Sequence, residues 1–181
     1  MNKKGIIIIV VLILVLCGAF GTRMFLAYKA LKLKEKGPDE WYSTTRDIYY
    51  KAFSEKWSGS GYDIDPIDDY KDNSKKFGYY LVDLNDDGSM EFLVGFDDGS
   101  KPTKFTDVYV WHSDFGATRI MYGGTDIYYY LCSDKCLRED MEWGKNSTTR
   151  YLKYNQKENS FTILENGGDP QKVELTYFTT E

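Results

Sequence analysis

"LVDLNDDGSMEFLVG", residues 81–95, places four acidic side chains and an Asn within nine positions, between two apolar runs. The run before it, "FGYYLVD", and the run after it, "MEFLVGF", are rich in aromatic and branched residues. Such runs on either side of an Asp-Gly step read as a β-hairpin. Like charges crowded on one short loop repel one another. That repulsion is the reason to look for a cation between the strands.

Counting from Asp83, the loop reads Asp83, Asn85, Asp87, Gly88, Ser89 and Glu91 at positions 1, 3, 5, 6, 7 and 9 of a D-x-[DN]-x-D-G pattern. Calcium takes 6–8 hard oxygen ligands at about 2.3–2.6 Å. Oxygen side chains at positions 1, 3 and 5 converge only if the chain turns tightly, and a glycine at position 6 permits that turn. Position 7 gives its backbone carbonyl, so Ser89 suits it, and Glu91 reaches the ion directly or through water. The expected ligands of one Ca²⁺ are therefore Asp83, Asn85, Asp87, Ser89 and Glu91. Asp86 is expected to point away into solvent. The competing reading is a plain acidic turn, because Asp-Gly favours tight hairpins without any metal.

The loop departs from an EF-hand in two ways: position 12 is Val94 where a bidentate Glu belongs, and the flanks are strand-like. It resembles the calcium hairpins of integrin-type propeller repeats and is similar to the D-x-N-x-D-G core of dockerin loops. "YYLVDLNDDGSMEFLVG" followed by "TDVYVW" also resembles a set of Gram-positive membrane-anchored surface proteins, over residues 38–115. The resemblance implies a calcium-stabilised extracellular module and no known enzyme activity.

Downstream the period of two continues. Candidate strands are 77–83, 90–97, 105–112, 117–122, 126–132, 136–143, 149–154, 159–164 and 171–179, separated by turn signals such as "DDGSK", "GGT" and "NGGDP". The connections are too short for crossover helices, which predicts an antiparallel meander. Upstream, "GPDEWYSTTRDIYYKAFSEKW" starts with Pro38 at a first helical position and Asp39 and Glu40 in the first turn. Trp41, Ile48, Tyr49, Ala52 and Phe53 then recur at helical spacing. The soluble part is thus expected to be α+β, one main amphipathic helix followed by the meander. "SGSGYDIDPIDDYKDNSKK" between them reads as a loop whose aspartates, Asp63, Asp65, Asp68, Asp69 and Asp72, are solvated.

The chain opens with two lysines and then runs 17 residues, 5–21, without a charge. A spanning helix needs roughly 17–25 residues, so an uncleaved anchor over about 5–27 is favoured. A cleaved signal peptide ending near "GAFG" and a lipoprotein signal at Cys17 are the alternatives. This divides the chain into an anchor with a juxtamembrane helix, 1–36, and an extracellular α+β domain, 37–181. Lys/Arg counted on either side of the run argue for the opposite orientation, but long downstream domains cross largely regardless of charge.

Charge separates the same two parts. Residues 1–36 carry net +6, and residues 37–181 carry −11 of the whole chain's −5. An acidic body argues against nucleic acid as a partner. The expected partners are the membrane, through residues 5–27, and a protein or glycan of the cell surface.

Of three cysteines, Cys17 lies in the apolar run. Cys132 and Cys136 bracket "SDK", where a disulfide is the expected state of an exported domain. As a zinc site C-x3-C lacks two ligands, and His112 is the only histidine. No nucleophile elbow, zincin or phosphate-loop motif is present. The abundant aromatics, "DIYYYLC" included, read as cross-strand packing. The expected function is a non-catalytic binding or structural module. The alternative is a small surface hydrolase that uses carboxylates of the 63–72 loop.

Overall fold

The computed structural model describes residues 37–57, 64, 68–72, 74–99, 102–112 and 115–178. The expected anchor, 5–27, lies outside them, as do Asp63 and Asp65. Among the described residues no helix is long and apolar enough to cross a membrane. The chain divides into two compact units, Met1–Glu40 and Trp41–Glu181.

The second unit is mostly antiparallel β-sheet with few helices. Helix α1 covers Pro38–Trp41 and α2 covers Ser43–Ser54, with a 3-10 turn at Asp68–Lys71. The expected single helix is interrupted at Tyr42, which sits at φ −103° and ψ 10°. Tertiary packing outweighs helical continuity there: the Tyr42 ring is buried against Phe92, centroids 5.1 Å apart, and its hydroxyl donates to the Met90 carbonyl at 2.7 Å.

Nine strands follow among the described residues: β1 Lys76–Val82, β2 Glu91–Asp97, β3 Lys104–His112, β4 Gly116–Tyr122, β5 Ile127–Leu131, β6 Leu137–Trp143, β7 Asn146–Asn155, β8 Ser160–Leu164 and β9 Thr176–Tyr177. They form one sheet in the order β8-β7-β6-β5-β3-β2-β1-β9, every pair antiparallel. Two features depart from a plain meander. Strand β4 pairs with β3 off this path, so β4 and β5 share one edge of β3. The last segment pairs only at Thr176–Tyr177, on β1. Before that, residues 169–173 spend their hydrogen bonds on the ends of other strands, through Ser133 N–H to Asp169 O, Gln171 N–H to Leu131 O and Val173 N–H to Thr103 Oγ1.

Strand β2 is buried on both faces from Glu91 to Phe96, as its nearly unbroken apolar sequence requires. One face meets α2 in an aromatic cluster, in which Tyr49 stacks on Phe178 at 5.2 Å and Phe53 on Phe77 at 4.9 Å. The other face is mainly aliphatic, with Leu93, Val108, Leu131, Leu137 and Leu152 around Phe105 and Tyr129. Among the described residues no helix lies over that second cluster. The sheet curls over it, so that Lys153 of β7 brings its ammonium to the Leu84 carbonyl at 3.2 Å, across from the β1–β2 loop.

Candidate metal centre

The acidic stretch closes the β1–β2 hairpin. Val82 pairs with Glu91, which leaves residues 83–90 as the loop. Eight residues is longer than a two-residue Asp-Gly turn, and an acidic turn without metal remains the competing reading. Asp86 and Gly88 take left-handed backbone at φ 60° and 83°. At Gly88 this conformation carries no Cβ penalty, which is what position 6 demands.

Asp83 organises the loop. Its carboxylate accepts from the backbone N–H of Asp87 at 3.1 Å and of Gly88 at 2.8 Å. Asp87 Oδ1 accepts from Ser89 N–H at 2.7 Å, and the Asn85 amide donates to Asp87 Oδ2 at 2.8 Å. An ionised carboxylate has about four lone-pair sites, so these bonds leave Asp83 and Asp87 with acceptor capacity for a cation. Asp86 is exposed as expected, but it is not merely solvated: it pairs with Lys135 of the Cys132–Cys136 hairpin.

Glu91 differs from the rest of the loop. Its residue is 2% exposed, and its Oε2 accepts from Leu84 N–H at 2.8 Å. Burial pushes its carboxyl up to about 7, and the charges of Asp87 and Asp83 push the same way. Three other acidic residues are buried among the described ones, Asp69, Asp107 and Glu139. Each meets a cation of the protein: Lys75 for Asp69, Arg119 for Asp107 at 3.3 Å, and Arg150 for Glu139. Among the described residues no Lys or Arg forms such a pair with Glu91. The sequence marked Glu91 as a ligand but gave no sign that it would be buried.

Four of the five expected ligands, Asp83, Asn85, Asp87 and Ser89, therefore share the loop and are joined by hydrogen bonds, and the fifth, Glu91, is the first residue of β2. The carboxylates of Asp83, Asp87 and Glu91 are not gathered as one tight trio. Among the described residues, the trio of acidic, thiol or imidazole donors that does lie within 4.8 Å of one another is Cys132, Asp134 and Cys136. Both cysteines are buried thiols rather than the expected disulfide. Sequence reasoning saw C-x3-C and missed the central Asp134; the C-x-D-x-C spacing was the available signal.

A cleft of about 600 Å³ opens beside the acidic loop, lined by Asn85, Asp87, Lys153, Tyr154, Thr162 and Leu164 among others. A second pocket, of about 280 Å³, lies by the 3-10 turn, lined by Phe53, Lys56, Tyr70, Lys71, Asp72, Lys75 and Phe77. His112 is not part of its lining. Asp69, expected in a solvated run, is instead buried, where it pairs with Lys75 and accepts from Tyr128 Oη at 2.6 Å. Asp72 accepts from Ser74 N–H at 2.9 Å, which closes a local turn. His112 stands edge-on to Phe115 at 6.3 Å.

Compared with known proteins, the chain matches no family model, no curated protein and no solved structure.

Proposed function

We propose that this chain is a membrane-anchored extracellular module whose β1–β2 loop binds one Ca²⁺, and that it serves the cell surface as a non-catalytic binding or structural protein. The observation that carries the calcium reading is Glu91: a buried carboxylate that feels the charges of Asp87 and Asp83 and that, among the described residues, has no cationic partner of the kind that Asp69, Asp107 and Glu139 have. Burying an unpaired charge is costly, and a divalent ion bound by Asp83, Asn85, Asp87, Glu91 and the Ser89 carbonyl removes that cost. The likeness of "YYLVDLNDDGSMEFLVG" to Gram-positive surface hairpins supports the extracellular placement, and the uncharged run at 5–21 supports the anchor.

With no Glu at position 12, the affinity belongs in the range of about 10⁻⁴–10⁻³ M of extracellular modules. At ten times the dissociation constant, binding stabilises the fold by about 1.4 kcal/mol. That is a rise in melting temperature of roughly 3–6 °C for a domain of this size. Calorimetry of the full chain in detergent, with calcium and with chelator, measures it. Asp87→Ala should abolish the shift. If wild type and Asp87→Ala melt identically in millimolar calcium, the loop is a plain acidic turn.

A further inference from the structure

The hairpin that joins β5 to β6 holds a donor set of a different chemical character. Cys132 N–H donates to Cys136 O at 2.9 Å and Lys135 N–H to Cys132 O at 3.0 Å, which fixes a tight loop with Lys135 at φ 61°. Cys132 and Cys136 are each 1% exposed, yet their sulfurs and a carboxylate oxygen of Asp134 all lie within 4.8 Å of one another.

We propose that Cys132, Asp134 and Cys136 form a site for a thiophilic divalent cation, with Zn²⁺ as the fitting ion, distinct from the calcium loop. Zinc bonds thiolate sulfur at about 2.3 Å and carboxylate oxygen at about 2.0–2.2 Å, in a tetrahedron. The edges of such a tetrahedron are about 3.5–3.8 Å. The observed donors need to close by no more than about 1.3 Å to reach them. A disulfide requires a sulfur separation of about 2.05 Å, and both cysteines are free thiols here. Thiolates select zinc over calcium, whereas the all-oxygen loop at 83–91 does the reverse. Three protein ligands leave the fourth position for water. Binding deprotonates both thiols, releases two protons to solvent and changes no oxidation state.

The surroundings hold the trio in place. Asp134 Oδ1 accepts from Cys136 N–H at 3.3 Å, and Lys153 donates to the Asp134 carbonyl at 3.4 Å. The "NGG" chain runs directly over the cluster. A Cβ on Gly168 would lie 2.5 Å from Ser133 Oγ and 3.0 Å from Asp134 Oδ1, and one on Gly167 would lie 2.6 Å from the Cys136 sulfur. A larger residue at either position would push these side chains aside, so glycine lets the segment pass close to Asp134 and Cys136.

The test is titration of the reduced full chain in detergent with Co²⁺, followed by displacement with Zn²⁺. The expected result is one equivalent of cobalt, with a thiolate-to-cobalt charge-transfer band and the intense d–d bands of tetrahedral geometry, both bleached by zinc. Asp134→Asn keeps an acceptor for Cys136 N–H, so the hairpin is retained, while affinity should weaken at least about tenfold, the lower end of what losing even an outer partner costs a metal site. Cys136→Ser should remove part of the charge-transfer intensity. Asp87→Ala should leave the cobalt spectrum unchanged even though it abolishes calcium binding, so the two sites fail separately. Cobalt uptake without a charge-transfer band, no uptake by the reduced chain, or unchanged affinity in Asp134→Asn each overturns the proposal.

Discussion

Glu91 and Asp107 are both buried carboxylates on neighbouring strands, 2% and 3% exposed, and burial raises the pKa of each. Their surroundings differ. Asp107 receives the Tyr70 hydroxyl, the Thr106 hydroxyl at 3.1 Å and the Arg119 guanidinium at 3.3 Å, so protein donors oppose the effect of burial. Glu91 receives one backbone N–H and faces two further carboxylates. The first environment is complete as folded. The second keeps a buried carboxyl whose charged form burial and its neighbours disfavour, and this difference is the one that the calcium proposal rests on.

The largest expected effect lies on the Asp107 side. Asp107→Ala leaves Arg119 without its carboxylate and the Tyr70 hydroxyl with only its Thr106 partner, and should cost about 3 kcal/mol, near the low end for breaking a buried pair because Arg119 reaches solvent. Denaturant unfolding should show this loss equally with and without calcium. A calcium-dependent loss would mean that the two carboxylates are not independent.

Glu91→Gln should act in the opposite direction. It keeps an acceptor for Leu84 N–H and removes the charge. At pH 8 without calcium it should stabilise the chain by about 1–3 kcal/mol, the upper bound set by a pKa raised from 4.5 to about 7. It should also erase the calcium-induced melting shift. Destabilisation without calcium would show that Glu91 already has what it needs.

The pH dependence carries the same sign. Between the unfolded pKa of 4.5 and the folded value of about 7, native Glu91 keeps its proton while the unfolded chain has lost it. This contribution to stability is fully present below about 4.5 and is lost as the pH rises through about 7. Calcium should raise the wild-type melting temperature most at and above pH 7, where native Glu91 is ionised, and its affinity should fall as the pH drops below 7. Melts across pH 5–8 in wild type and Glu91→Gln isolate the difference, because Asp107 is common to both.

The smallest effects belong to the loop's outer residues. Ser89→Ala retains the backbone carbonyl, so the calcium shift should survive nearly intact. Asp86→Ala removes an exposed pair with Lys135 and should leave calcium binding unchanged in a titration.

Much of this was legible in the sequence because it depends on local pattern. The period of two over 77–97 and the turn signals after it gave β1, β2 and the later hairpins, mostly to within a residue or two at each end. The spacing of Asp83, Asn85, Asp87 and Gly88 gave a loop turned by glycine. The break at Tyr42 was not legible, because it comes from a ring packed on Phe92 fifty residues downstream. Nor was the shared edge of β3, since one-dimensional alternation does not say which strand takes which neighbour.

The sequence by itself determined the strand-rich α+β character, the acidic loop and its candidate ligands, since side-chain period, glycine placement and charge are properties of the local chain. Only the tertiary structure decided which carboxylates are answered. Lys75, Arg119 and Arg150 reach Asp69, Asp107 and Glu139 through folding, Glu91 is buried with no such partner among the described residues, and Gly167 and Gly168 pass close to Cys136 and Asp134. Burial and pairing depend on what the rest of the chain brings to a side chain, and charge becomes costly only where water has been removed.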